Sequence, residues 1–354
     1  MPFNLTIDLR QLNTFLTVAD TGSFSRASEK LFVAQPALSR QIRMLEEALN
    51  VDVFVRHGRG VVMTAAGELL YERARALLQS LERTQADVTA VAGEVTGRVM
   101  LGLLPTVTHS FSGTIIEQYR KRFPQVHLAV RSAMSGTLQQ MVMQHRVNLA
   151  ITYHHANHKN LRYRPLIEER LYLISPINTK VAKRSEITLE EVLDLPLVMP
   201  EEKHGLRVAM EKQAAERKKS LNLALEVSAW PMLTDMVRRG LGYTILSSAA
   251  VHDMTLRNEV IAIPITNPEI KRTLSIVTPA DLPASVATTK LTEIIMQQVA
   301  EQVEAGTWKG RLLFNPKEIG QPISETSESH ELGGDCRVTQ PSKRHAKPRY
   351  TIGA

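Results

Sequence analysis

In the stretch LFVAQPALSRQIRMLEE, residues 31–47, Gln35, Ser39, Arg40 and Arg43 fall on the side that Leu38, Ile42 and Leu45 leave bare when the segment is wound as a helix. Gln carries the donor and acceptor that match an adenine edge, Arg the two-pronged donor that matches guanine, and Ser a hydroxyl for a phosphate or a base. Pro36 and Ala37 keep the start of this helix slim, so it can descend into a groove and touch a thymine methyl. Ser25 and Arg26 stand at the start of the preceding helical segment, and Arg56 and Arg59 bracket a polar tip, Arg56-His57-Gly58-Arg59-Gly60. Together these side chains suit nucleic-acid binding. The competing reading is a solvated helix face in which Arg40 and Arg43 pair with Glu46 and Glu47.

Bulk charge does not decide between the two. Residues 1–64 hold seven Lys and Arg against six Asp and Glu, a net of only +1, although the 354-residue chain carries +7. Placement must therefore matter more than general attraction, and placement depends on the surrounding elements. Leu9, Leu12, Phe15, Leu16 and Ala19 repeat at the spacing of one buried helix face, and Thr21-Gly22-Ser23 interrupts them. Ser23 can cap a short second helix, Phe24 to Leu31, and Pro36 sits in the first turn of a third, where proline is tolerated. Asn50 follows Leu49 where a residue tolerating left-handed geometry ends the helix. Three helices with a short break before the third make a helix-turn-helix candidate. Segments 51–54 and 61–64 read as two short strands around the basic tip, which would form a wing.

Thr64 caps a long helical segment, 65–92, with no proline. Leu70, Ala74, Leu77, Leu81, Thr84, Val88 and Val91 alternate four and three apart in it. This period predicts a coiled-coil seam, with Leu70, Leu77, Leu81 and Val88 as dimer contacts, although one helix packed on its own chain would show the same spacing.

Beyond Gly97 short apolar strands alternate with amphipathic helices, the pattern of parallel-sheet α/β units. Strands are expected at 98–104, 127–132, 149–153, 171–174, 197–199, 223–227, 243–246, 260–264 and 272–277. Helices are expected at 111–122, 136–145, 208–218, 232–239 and 285–305. From Asn315 the chain becomes polar and rich in Pro, Gly and Ser, so 315–354 is expected to stay disordered. Its basic end, Lys343, Arg344, Lys347 and Arg349, reads as a solvated tail or an extra nucleic-acid contact.

Hydrophobic residues make up 43% of the chain and charged residues 22%, within the soluble globular range. No apolar run approaches a membrane span, and the N-terminus lacks the basic and apolar regions of a signal peptide. A single cysteine, Cys336, allows no intrachain disulfide. A cytoplasmic protein is expected.

The ordered motifs Leu9-Arg10-x-Leu12-x-x-Phe15, Gly22-Ser23-Phe24-x-x-Ala27, Gln35-Pro36-Ala37-Leu38-Ser39-x-x-Ile42-x-x-Leu45-Glu46, Phe54-x-Arg56 and Thr64-x-Ala66-Gly67 resemble the LysR-type transcriptional regulators. The resemblance runs from about Leu9 to Gly310. It implies a winged helix-turn-helix at 1–64, a dimerising linker helix at 65–92, and a periplasmic-binding-protein-like effector region at 97–310. That region would divide into subdomain I, 97–164 with 266–305, and subdomain II, 165–265. It further implies a homodimer or homotetramer that binds double-stranded promoter DNA, commonly as an activator, under control of a small-molecule coinducer. Pro200-x-x-x-His204-Gly205-Leu206-Arg207, with Leu104-Pro105-Thr106 and Ser135-Gly136, is similar to the nitrogen-assimilation regulator group. Asn50, Ser28 and Met63 depart from the usual glycine, alanine and leucine.

In such an effector region the cleft is lined by strand ends and helix N-termini, which favour anions. Thr106, Thr108, Ser135, Thr137 and His204 are the candidate contacts. Helix capping is the simpler role for Thr106 and Ser135, and a plain surface position for His204. Arg207 reads as one half of an ion pair on its own helix. His154, His155 and His158 form a cluster without nearby Cys, Asp or Glu, so a solvated loop is favoured over zinc. No nucleophile elbow, phosphate-binding glycine loop or metalloprotease motif occurs, and neither enzyme activity nor a cofactor is expected.

Overall fold

The computed structural model describes residues 7–58, 60–153 and 158–320, apart from the side chains of Arg56 and of residues 108–110. The expectations for Arg59, His154, His155 and the basic residues near the C-terminus lie outside the described residues.

Three short helices open the chain: α1 (Leu9–Thr21), α2 (Phe24–Leu31) and α3 (Gln35–Leu49). Asp8 and Gln11 form a reciprocal capping box at the first, and the Ser23 hydroxyl accepts from the Arg26 amide at the second. Asn50 ends α3 in the left-handed conformation, with φ 53°. The wing strands are β1 (Phe54–His57) and β2 (Gly60–Met63), paired antiparallel. The expected first strand, 51–54, is thus displaced by three residues. The Glu46 carboxylate takes the Val53 amide at 3.0 Å, which holds 51–53 as a connector instead of ladder. Arg56 consequently stands within β1, not at the tip. Phe15, Phe24 and Phe54 join Leu38, Ile42 and Leu45 in one core.

The linker helix α4 (Ala65–Val91) rises from this unit, about 40 Å long for its 27 residues. Its first turns pack on the core so closely that a Cβ at Gly67 would lie 2.1 Å from the Val53 carbonyl oxygen. Only glycine permits that approach. Farther along, the Asp87 carboxylate accepts from the Val286 amide at 3.2 Å, joining the linker to the region that follows.

That region contains β3 (Gly97–Leu103), α5 (Pro105–Arg122), β4 (Val126–Ser132), α6 (Ser135–Met143), β5 (Leu149–Tyr153) and β6 (Leu161–Pro176). It continues with β7 (Ile187–Thr188), α7 (Leu189–Asp194), β8 (Leu197–Met199), α8 (Gly205–Glu216), β9 (Leu223–Glu226), α9 (Trp230–Arg238) and β10 (Thr244–Ser247). Then follow α10 (His252–Leu256), β11 (Val260–Thr266), β12 (Lys271–Pro279), α11 (Val286–Glu304) and β13 (Gly310–Leu312).

Sheet order is β4-β3-β5-β12-β6-β11-β7, with β10 and β13 also pairing with β6. Pairings β3–β4, β3–β5, β7–β11 and β8–β9 are parallel. The parallel units expected from the alternation are present, within a sheet that as a whole is mixed. The reason is β6: its 16 residues run continuously through both lobes, and β10, β11, β12 and β13 pair with it antiparallel. Only its apolar end, 171–174, reads as a strand from sequence, because Arg162, Arg164, Glu168 and Arg170 interrupt the rest. Three cores result, one around Leu101, Ile115, Ile151 and Ile295, a second around Leu173, Leu193, Met210 and Ile263, and a third around Ile174, Val198, Val237 and Val251. Residues 315–320, expected in the tail, instead form a 3-10 turn at Pro316–Glu318, and Ile319 packs against the first core.

Candidate nucleic-acid interface and effector cleft

On α3 the inward face is Leu38, Ile42 and Leu45, all buried. Gln35, Pro36, Arg40 and Arg43 are exposed, and Ser39 is half-buried. The expected ion pairs from Arg40 or Arg43 to Glu46 or Glu47 are not among those found between the described residues; Glu46 instead holds the wing connector. Ser25 and Arg26 are exposed at the start of α2. The Ser25 hydroxyl donates to Gln35 Oε1 at 3.2 Å, so the first turns of α2 and α3 meet at the corner where Gln35 stands. Arg26 Nη2 donates to the Thr21 carbonyl, which holds that side chain against the α1–α2 turn.

The wing is tied to the same turn. Val61 N–H donates to the Gly22 carbonyl at 3.1 Å, and a Cβ on Gly60, whose φ is 139°, would meet that oxygen at 2.5 Å. Glycine at 60 is therefore what lets the wing lie beside α1. The linker is anchored by Asp20, which accepts from the Tyr71 hydroxyl and from Arg75 Nη2, each at 2.5 Å. Burial pushes the Tyr71 phenol above its ordinary pKa, and the hydrogen bond to Asp20 adds to the rise.

Along α4, Leu70 is half-buried against the helix-turn-helix core, whereas Leu77, Leu81 and Val88 are 51%, 48% and 68% exposed. The seam thus divides: Leu70 serves partly as intrachain packing, and the distal residues present an open apolar stripe.

In the α/β region Thr106 occupies the first turn of α5 and is half-buried. Thr108 lies on the same helix. Ser135 is the first residue of α6 and is buried, while Thr137, one turn in, is exposed. Neither Thr106 nor Ser135 caps its helix, because the N-cap positions are Leu104 and Met134. Ser135 Oγ accepts from the Tyr153 amide at 3.4 Å, and Thr106 is hydrogen-bonded to the Tyr153 hydroxyl. His204 caps α8, its Nδ1 accepting from the Leu206 amide at 3.2 Å. Arg207 is buried and pairs with Glu211 at 2.6 Å.

Sequence reasoning missed the group around Tyr153. Its hydroxyl donates to Glu169 Oε1 at 2.8 Å, Trp308 Nε1 donates to Glu169 Oε2 at 2.9 Å, and Arg272 reaches Glu169 at 3.5 Å while lying 3.6 Å over the Tyr153 ring. Burial raises the Tyr153 phenol strongly; Arg272 opposes the rise and Glu169 adds to it. Thr106, Ser135, Tyr153, Glu169 and Arg272 thus form one connected polar cluster where α5, α6, β5, β6 and β12 converge. The carboxyl-end position of Tyr153 on β5 was an available signal. Glu169 gave none, since a Glu-Glu-Arg run reads as surface.

Among the described residues no cluster of His, Cys, Asp or Glu could hold a metal, and no helix is long and apolar enough to cross a membrane.

A winged helix-turn-helix carried on a long, half-open helix and joined to a two-lobed α/β region defines a DNA-binding regulator with a ligand-responsive part. Residues 92–300 match the LysR substrate binding domain, and residues 9–68 match the bacterial regulatory helix-turn-helix of the lysR family. The chain belongs to the LysR family of transcriptional regulators, proteins that bind promoter DNA, respond to small-molecule effectors and self-associate. It is 29% identical over 304 residues to the HTH-type transcriptional regulator BbuR of Bordetella bronchiseptica, covering 86% of this chain and 94% of that one. It is 26% identical over 305 residues to the nitrogen assimilation regulatory protein nac of Escherichia coli, covering 86% and 99%. In fold it is similar to a full-length OxyR variant from Pseudomonas aeruginosa, with a TM-score of 0.68 at 21% identity over 88% of this chain and all of that one. It is also similar to full-length CbnR in complex with its target DNA, with a TM-score of 0.58 at 17% identity over 83% of this chain and all of that one.

Proposed function

We propose that this cytoplasmic regulator places α3 in the major groove, with Gln35, Ser39, Arg40 and Arg43 at base edges and phosphates. Ser25, Arg26 and the wing arginines Arg56 and Arg59 would brace the backbone on either side. The observation that carries this reading is the outward face of α3: its arginines stand clear of ion pairs with the described residues while its apolar face is fully spent on the core. The solved CbnR complex, a chain of this fold bound to its target DNA, supports DNA as the partner.

The exposed stripe Leu77, Leu81 and Val88 pairs two copies of α4, and two such dimers make a tetramer that spans successive grooves. Thr106, Thr108, Ser135, Thr137 and His204 bind a small anionic coinducer. The partial positive ends of α5, α6 and α8 favour negative charge there. Coinducer binding closes the two lobes and, through β6 and the α4–α11 contact at Asp87, changes the angle between the DNA-binding arms and so the bend in the DNA.

A footprint of the full-length chain on its own upstream DNA, with and without a panel of small carboxylates, tests this. The expected result is a protected site whose boundary changes with one of them. Absence of any retarded complex at low salt would overturn the docking, and a footprint insensitive to every bound ligand would overturn the gating.

A further inference from the structure

Two cavities lie away from the helix starts assigned to the coinducer. One, of about 260 Å³, is lined by Glu168, Arg170 and Tyr172 of β6, by Glu269 and Lys271, and by Lys309, Gly310 and Arg311. The other, of about 340 Å³, shares Tyr172 and Lys309 with it and continues past Ser248, His252, Val260 and Thr307. Neither includes any of the five residues proposed for the coinducer.

The charge of the first cavity is unbalanced. Four cations, Arg170, Lys271, Lys309 and Arg311, face two carboxylates, a surplus of two positive charges (4 − 2). Glu269 is shared between Arg170 at 2.9 Å and Lys271 at 3.4 Å; Glu168 is shared between Arg311 at 3.4 Å and Lys271 at 3.9 Å. Lys309 Nζ lies 5.9 Å from the Tyr172 ring centroid, and no carboxylate is within ion-pair range of it among the described residues. Its backbone is fixed, because Lys309 N–H donates to Ser248 Oγ at 3.1 Å. Like charges gathered this closely repel unless a counter-ion sits among them, and the cavity leaves room for one.

We propose that this groove is a second small-molecule site, which takes a compact polyanion, a phosphorylated or polycarboxylated metabolite, between Lys271, Lys309 and Arg311. The adjoining cavity along Tyr172 accommodates the body of the molecule. The lining comes from β6, β11, β12 and β13, the strands that pass between the lobes or brace that passage. An occupant therefore bridges segments whose relative position sets the lobe angle, and it adds an input independent of the coinducer cleft.

Calorimetric titration of the full-length protein at physiological ionic strength, with pyrophosphate in one arm and citrate in the other, tests this. Saturable binding is expected in at least one arm, and the arm identifies phosphate or carboxylate as the recognised group. The double variant Lys309→Glu and Arg311→Glu should weaken it by about tenfold or more. The pair Thr106→Val and Ser135→Ala should leave it unchanged. Should the glutamate variant fail to fold, Lys309→Gln with Arg311→Gln keeps the comparison. No saturable binding in either arm, binding unaffected by the Lys309 and Arg311 variants, or binding lost in the Thr106 and Ser135 variant would each overturn the proposal.

Discussion

The helix-turn-helix and the α/β region handle polar groups in opposite ways. At the first, Gln35, Arg40 and Arg43 stand on the outside of a small core made by Leu38, Ile42 and Leu45, so the groups proposed to meet DNA contribute little to the fold. In the second, Tyr153, Glu169, Arg272 and Trp308 are drawn into the interior and bond to one another there, so Thr106 and Ser135, proposed to meet a coinducer, also belong to a network that supports the fold. Recognition and stability separate in one region and are fused in the other. A rigid surface reader suits a partner as large and constant as a duplex, and a buried network suits a signal that must alter the protein's own shape.

The linker that joins the two regions gives the largest expected effect. Leu77→Asp with Leu81→Asp, in both chains of a dimer, removes four apolar side chains from the proposed seam, about 6 kcal/mol in total. Sedimentation at micromolar concentration should show monomer, with unfolding of the α/β region unchanged; a dimer that persists would remove α4 from the interface.

Glu169→Ala sharpens the contrast next. It strands the Arg272 guanidinium and the Tyr153 and Trp308 donors inside, and removing one member of a buried charged network costs about 3–5 kcal/mol. Chemical denaturation should show that loss, and Glu169→Gln, which keeps the volume and some hydrogen bonding, should lose less. A variant as stable as the parent would break the comparison.

Arg40→Ala and Gln35→Ala should each reduce specific over nonspecific DNA binding by about 1–3 kcal/mol, with no change in denaturation midpoint. Equal weakening on all sequences would reassign that side chain to phosphate contact.

The smallest effect belongs to Glu191, whose carboxylate accepts from Thr188 and forms a two-point bond with Arg184 at 2.7 and 3.1 Å. The Arg184 bond, followed by the Thr188 bonds, lowers its pKa from the ordinary 4.5 to about 2. A lowered carboxylate pKa stabilises the fold above the unfolded value and loses that contribution as pH falls through the folded one. Thermal stability should therefore carry a slight dependence between pH 4.5 and 2 that Arg184→Gln diminishes. The effect is small because the pair is exposed to solvent.

These variants follow the line between what could and could not be read in advance. The three helices, the caps at Ser23 and Asn50 and the outward face of α3 were legible because each depends on neighbours within one or two helical turns. Fold class and the linker were legible for the same reason, since periodicity alone reveals which face is apolar. The wing boundaries shifted because Glu46, seven residues away from Val53, claims an amide that local pattern would give to a strand. The long β6 was read as four residues because its charged half is stabilised by antiparallel neighbours more than 100 residues distant, such as Arg272 opposite Glu169.

What the sequence by itself determined is thus the set of short-range choices: where helices begin and end, which stripe of each must be covered, and which polar side chains are left over. Tertiary structure alone decided that Glu169, placed in a run resembling surface, becomes the buried acceptor for Tyr153 and Trp308. It also decided that Lys271, Lys309 and Arg311 converge on one groove. The physical reason is range. Helical periodicity is written within a few residues, whereas the solvation of a charge depends on whatever distant segments the fold brings around it.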